Sequence, residues 1–121
     1  MAKNMEVALL FDFYGEVLTE KQQNMVELYY NNDLSLSEIA ENEGITRQGV
    51  RDSIKRAETQ LLEMEERLHL VQRFRDMRGD FEQISRDARE IAEANDRQGY
   101  SREIADCAAR ILRLSQKLID M

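Results

Sequence analysis

Residues 33–56, DLSLSEIAENEGITRQGVRDSIKR, hold the pattern on which the fold turns. Ser35 with Glu38 has the spacing of a capping box, in which a hydroxyl and a carboxylate satisfy first-turn amides reciprocally. Ile39 and Ala40 give the following short helix an apolar face, and Ala40 is small where two helices must cross closely. Gly44 can take the left-handed backbone that ends this helix, Ile45 is expected to plug the corner, and Thr46 to cap a second helix beginning at Arg47. Val50 and Ile54 complete a shared core. These parts in this order describe a helix-turn-helix unit.

The second helix is also where positive charge gathers. The chain holds 17 Lys and Arg against 24 Asp and Glu, a formal net charge of -7. Spread evenly, that excess of acid would repel nucleic acid, because affinity for phosphate backbones comes from releasing counterions against Lys and Arg. It is not spread evenly. Residues 1–60 contain 6 bases and 11 acids, and four of the six bases, Arg47, Arg51, Lys55 and Arg56, fall within ten residues. At about 100° per residue, Val50, Ile54 and Ala57 take one side of the helix while Arg47, Gln48, Arg51 and Lys55 share an adjacent arc. Arg and Gln near a helix start can pair with guanine and adenine edges, whereas Lys55, Arg56 and the Thr46 hydroxyl suit phosphate oxygens. A solvated face is the bland alternative for such a cluster; the cap, turn and core in register argue for nucleic-acid contact.

Outward from this unit, the absence of proline and tryptophan and the 34% of charged residues indicate an all-α chain. Helices are expected from about Asn4 to Tyr14, Glu20 to Asn32 and Leu36 to Glu43, with Thr19 and Gln22 forming a second capping box. The fourth, from Arg47, carries apolar residues at Val50, Ile54, Ala57, Leu61, Met64, Leu68 and Val71, and its periodicity continues to about Arg78. After a break at Gly79, a helix on Phe81, Ile84, Ala88 and Ile91, a turn at 95–99, and a last helix capped by Ser101 form a C-terminal helical hairpin. Its stripe of Ile104, Ala108, Ile111, Leu114, Leu118 and Met121 is close to a heptad seam. The expected division is a helix-turn-helix domain over 1–60 and a helical extension over 61–121 that carries dimerisation. The first helix is apolar almost all round and needs cover from the long fourth helix or from a second protomer.

Other classes find no support. Cys107 is the single cysteine and is expected to be a small core residue; His69 is the single histidine, so neither belongs to a metal-ligand set. No phosphate loop, zinc-protease motif or nucleophile paired with a histidine occurs, which argues against an enzyme and implies no cofactor. VALLF at 7–11 is too short to span a bilayer, so a soluble cytoplasmic protein with no membrane contact is expected. Arg67, Arg73, Arg75 and Arg78 are expected in salt bridges and interprotomer contacts, with an auxiliary phosphate surface as the alternative, and Tyr29 and Tyr30 to pack on or cap the core rather than stack on bases.

From about Leu9 to about Val71 the chain resembles the YlxM family, small bacterial helix-turn-helix proteins linked to the signal recognition particle. FDFY at 11–14, LTEKQQ at 18–23, LYYNNDLSLSEIAE at 28–41 and IKR at 54–56 carry the resemblance, and the middle of the stretch is similar to region 4 of bacterial sigma factors. The resemblance implies a tri-helical DNA-binding fold with a helical tail, a homodimer, and a role with the particle's RNA or its GTPase. A protein-interaction module docking on that GTPase, or a transcription regulator acting on promoter DNA, are the alternatives. Arg51 stands where the family usually has an aromatic residue. A helix shaped for the major groove of B-form DNA cannot read the deep, narrow major groove of duplex RNA, so RNA contact would fall on phosphates or an unpaired loop.

Overall fold

The expected helix starts are capped by the side chains that the sequence places there. In the structure, a computed structural model describing residues 2–121, Asn4 Oδ1 accepts from the Glu6 amide, and Thr19 with Gln22 and Ser35 with Glu38 each close a reciprocal capping box. Thr46 and Ser101 accept from the amides three residues on. The helices are α1 (Met5–Tyr14), α2 (Glu20–Val26), α3 (Leu36–Glu43), α4 (Arg47–Leu68), α5 (Leu70–Arg97) and α6 (Arg102–Ile119). The described residues contain no strand, and the fold is all-α. A 3-10 turn, Gly15–Val17, follows α1, and α2 continues as a π-helical turn over Glu27–Asn31, where the Asn32 amide reaches back to the Glu27 carbonyl. Asp33, with φ of 57°, ends that turn.

The chain divides into two units, one ending at Val71 and one running from Gln72 to Met121. The first has two adjoining apolar clusters, and α4 is the spine common to both. Val50 and Ile54 pack with Met25, Tyr29, Leu36, Ile39 and Ala40; one turn on, Ala57 and Leu61 pack with Val7, Leu10, Tyr14, Leu18, Val26 and Val71. Each fully buried Leu, Ile or Val stabilises by roughly 1.5–3 kcal/mol relative to exposure. The apolar α1 finds its cover on α4 through Val7, Leu10 and Tyr14, while Met5 and Phe13 remain exposed.

The long fourth helix expected to reach Arg78 stops at Leu68, and the break expected at Gly79 does not occur. His69 instead turns left-handed, with φ of 54°, and α5 then runs through Gly79 without interruption. The cause lies far off in sequence. Tyr14 hydroxyl accepts from the Leu70 amide at 3.1 Å and donates to Glu65 Oε1 at 2.6 Å, and the same carboxylate oxygen accepts from the Val71 amide at 3.0 Å. Two first-turn amides of α5 are thereby capped by side chains of α1 and α4. Burial and the Glu65 carboxylate push the Tyr14 phenol up, which keeps it a proton donor.

The second unit is a hairpin of α5 from Gln72 onward and α6. Asn95 clamps its loop, donating to the Ser101 carbonyl at 2.8 Å and accepting from the Ser101 amide at 2.9 Å. Small residues line the contact: Ala88, Ala108, Ser85 and Ser115 are buried, and the two serine hydroxyls meet at 2.6 Å. Cys107, expected in the core, is exposed, because the side of α6 that meets α5 is the one carrying Ala108 and Ser115.

Candidate nucleic-acid interface

The helix-turn-helix forms as its residues require. Gly44, with φ of 70°, ends α3, a conformation that costs a residue with a Cβ about 1 kcal/mol or more. Ile39, Val50 and Ile54 are fully buried where α3 crosses α4. Ile45 does not plug the corner: its amide bonds the Ala40 carbonyl and its side chain is 36% exposed, since the crossing is already filled. Thr46 Oγ1 accepts from the Gly49 amide at 2.9 Å, and a Cβ on Gly49 would sit 3.1 Å from that oxygen. The missing side chain at 49 therefore leaves room for the cap.

With Val50, Ile54 and Ala57 facing inward at 0% exposure, the opposite side of α4 is presented to solvent. Arg47, Gln48, Lys55 and Arg56 are exposed, and Arg51 is half-buried. Among the described residues, Arg47, Lys55 and Arg56 enter no ion pair within 4 Å. Arg51 Nη1 lies 4.0 Å from Asp52 Oδ1, an exposed geometry of little energetic consequence. Gln48 Nε2 donates to the same oxygen at 2.9 Å. The α4 amino terminus, with no acid in its first turn, adds the positive end of the helix dipole.

Three polar residues join this face that sequence reasoning did not single out. Lys55 and Arg56 line a shallow groove of about 410 Å³ together with Thr59 and Gln60 of α4 and Gln22 of α2, whose amide donates to Gln60 Oε1 at 3.3 Å. The spacing of Lys55 and Thr59 could have flagged Thr59; nothing local connects Gln22 to α4.

Just behind the face is a buried carboxylate. Glu58 is 8% exposed, and its Oε1 has no hydrogen-bond partner among the described residues. Burial pushes the Glu58 carboxyl up, with Lys55 and the Tyr30 hydroxyl opposing. Burial also pushes the Tyr30 phenol up to about 12, so it remains a donor. Tyr29 is buried and packs edge-on to Tyr30 at 5.2 Å, in the core as expected of the pair.

Among the described residues no three or more His, Cys, Asp or Glu side chains are placed to hold a metal ion, and no helix is long and apolar enough to cross a membrane. His69 is exposed at the α4–α5 junction.

Comparison with known proteins agrees with this geometry. Residues 1–100 match the model of the family UPF0122, described as "Putative helix-turn-helix protein, YlxM / p13 like". A UPF0122 protein of Desulforamulus reducens is 56% identical over 69 residues, spanning 57% of this chain and 59% of that one. One from Acetivibrio thermocellus is 48% identical over 91 residues, 75% of this chain and 78% of the relative. A third, from Halalkalibacterium halodurans, is 43% identical over 102 residues, 84% and 87% of the two chains. With a family match over most of its length and the α3–turn–α4 geometry that such a match requires, this chain belongs to the UPF0122 family of YlxM/p13-like helix-turn-helix proteins.

Proposed function

We propose that the outer face of α4 binds nucleic acid, with Arg47, Gln48 and Arg51 toward the bases and Thr46, Lys55 and Arg56 on phosphates. The observation that carries this reading is a set of exposed cations, three of them outside any ion pair among the described residues, on a helix whose opposite side is core. Such a face concentrates positive potential on a chain otherwise dominated by acid. The groove beside it gives Gln22, Thr59 and Gln60 as neutral donors to a backbone that passes Lys55 and Arg56. On this reading the protein is a cytoplasmic, non-catalytic binding protein, and the family resemblance makes the RNA of the signal recognition particle a target to try beside duplex DNA. On RNA the contacts are to phosphates or an unpaired loop.

Salt tests it. Arg51→Ala with Lys55→Ala weakens binding to a DNA duplex or to the particle RNA, and lowers the slope of log affinity against log salt by about 0.7–0.9 for each phosphate the protein no longer neutralises. An unchanged slope rejects these residues as phosphate ligands, and unchanged affinity as well removes them from the interface.

Asp52 favours a second reading. An exposed carboxylate in the middle of the face, holding Gln48, opposes phosphate and suits a partner of mixed charge. The particle's GTPase, docked on the same face, is that partner. Capture of the GTPase that survives nuclease and is weakened by the alanine pair would select protein docking on this face.

A further inference from the structure

An exposed acid stands at the centre of the cationic face, where the binding of phosphate alone gives it no use. At about 100° per residue from Arg47, the core residues Val50, Ile54 and Ala57 centre on about 310°, so the direction farthest from the core lies at about 130°. Gln48 at about 100° and Asp52 at about 140° straddle that direction, and Lys55 at about 80° and Arg56 at about 180° border them on either side. The Asp52 side chain is 53% exposed; its carboxylate accepts from Gln48 Nε2 at 2.9 Å and lies 4.0 Å from Arg51 Nη1. Helix stability does not account for it. Asp is a poor helix former, and an exposed i,i+4 pair with Gln adds little. Asp52 is also the sixth residue of α4, past the first turn, where the dipole favours an acid and where α4 has none. Against a phosphate backbone it subtracts from the attraction that the neighbouring cations supply.

We propose, on the reading that α4 binds nucleic acid, that Asp52 is a specificity-determining residue and reads a cytosine in the major groove of duplex DNA. A carboxylate accepts hydrogen bonds and donates none, so it needs an amino group on the ligand. In the major groove the donors are cytosine N4 and adenine N6; guanine presents N7 and O6 and thymine presents O4, acceptors that repel a carboxylate. Adenine carries its N7 acceptor beside N6, whereas cytosine has no acceptor of its own there. Cytosine is therefore the base that Asp52 suits. The Gln48 bond steadies the carboxylate on the outermost line of the helix, and Gln48 has a second N–H and a carbonyl oxygen to offer a neighbouring base. Phosphates border the groove and base edges floor it. The face has the same order, with Lys55 and Arg56 at its sides and Gln48 and Asp52 between them. Duplex RNA offers a helix no such floor, because its major groove is too deep and narrow.

Selection by the full chain from DNA duplexes randomised over about 12 base pairs, a little more than one helical turn, tests the proposal. Wild type enriches a motif with cytosine at one position, and replacing that C·G pair by T·A weakens binding about tenfold. Asp52→Ala binds the original and the altered duplex equally, and it holds random-sequence duplex more tightly than wild type does, because a charge that opposes phosphate is gone. Asp52→Asn, which can donate as well as accept, moves the preference toward adenine. Both variants keep the helical circular dichroism of wild type, since Asp52 is exposed. A motif that Asp52→Ala leaves unchanged, a wild type that enriches no motif, or a wild type that binds the particle RNA and no duplex would overturn the proposal. If Arg51→Ala with Lys55→Ala still lowers affinity and salt slope in those cases, α4 remains the nucleic-acid face and only the role of Asp52 falls; an alanine pair without effect removes both.

Discussion

In the helix-turn-helix unit Leu10, Ile39, Ile54 and Leu61 are sealed to 1% exposure or less, whereas the hairpin seals Ala88, Ala108, Ser85 and Ser115 and leaves Ile84, Ile91, Ile104 and Ile111 in solvent. The spine helix α4 and the hairpin helix α6 are both amphipathic, so the difference is one of partners. In the first unit α4 meets α1, α2 and α3, which together supply enough neighbours for its large side chains. The hairpin has only two helices. Each covers one side of the other, and the narrow contact is filled by small residues that let the backbones approach. A helix with two apolar stripes needs two neighbours, and within the hairpin α6 has one.

The sharpest way to break this comparison is to delete matched side chains in the two units. Ile54→Ala, at a site fully buried between α3 and α4, destabilises the first unit by about 3 kcal/mol in urea unfolding. Ile111→Ala, the same change on an exposed side chain, alters the stability of the single chain by less than about 0.5 kcal/mol when measured at sub-micromolar concentration. Equal losses would contradict the difference in burial. Of intermediate size is Tyr14→Phe, which leaves the Leu70 amide without its acceptor and removes a donor from Glu65. It costs about 2 kcal/mol and raises amide exchange at Leu70 and Val71, with little change at α6.

The smallest effect concerns Glu58 and has a definite sign. A carboxyl whose folded pKa lies above its ordinary value of 4.5 is protonated more readily in the folded protein than in the unfolded one. Its penalty is fully present at pH above the raised value and fades as pH falls through it toward 4.5. Glu58→Gln is therefore more stable than wild type at pH 7–8, by less than about 1 kcal/mol, and the advantage shrinks as urea midpoints are taken to lower pH. An advantage that grows on acidification would show that Glu58 is stabilised as an anion.

Local chemistry explains why so many helix boundaries were legible. Thr19, Ser35, Thr46 and Ser101 cap with their own oxygens amides three residues away, and Gly44 ends α3 by a conformation that glycine adopts freely, so a window of four or five residues suffices. The junction at His69 was hidden for the opposite reason. Leu61, Met64, Leu68 and Val71 keep helical spacing straight through it, and the groups that stop α4 include Tyr14, 51 residues before Glu65. Gly79 looked like a break, yet an exposed glycine inside a helix costs only about 1 kcal/mol, which a 28-residue helix absorbs. The cationic face was legible because its residues share one helix; Gln22 was not, because only packing brings α2 beside α4.

By itself the order of residues determined the helices, the glycine turn between α3 and α4, and the gathering of cations on one side of α4, because caps, turns and helical faces are short-range consequences of side-chain chemistry. Tertiary structure alone decided that α4 ends at Leu68, that Ile45 and Cys107 face solvent, that Glu58 is buried, and that Ile104 and Ile111 of α6 stay exposed. Those outcomes depend on which neighbour reaches a given face first, and a neighbour brought from tens of residues away leaves no mark on local periodicity.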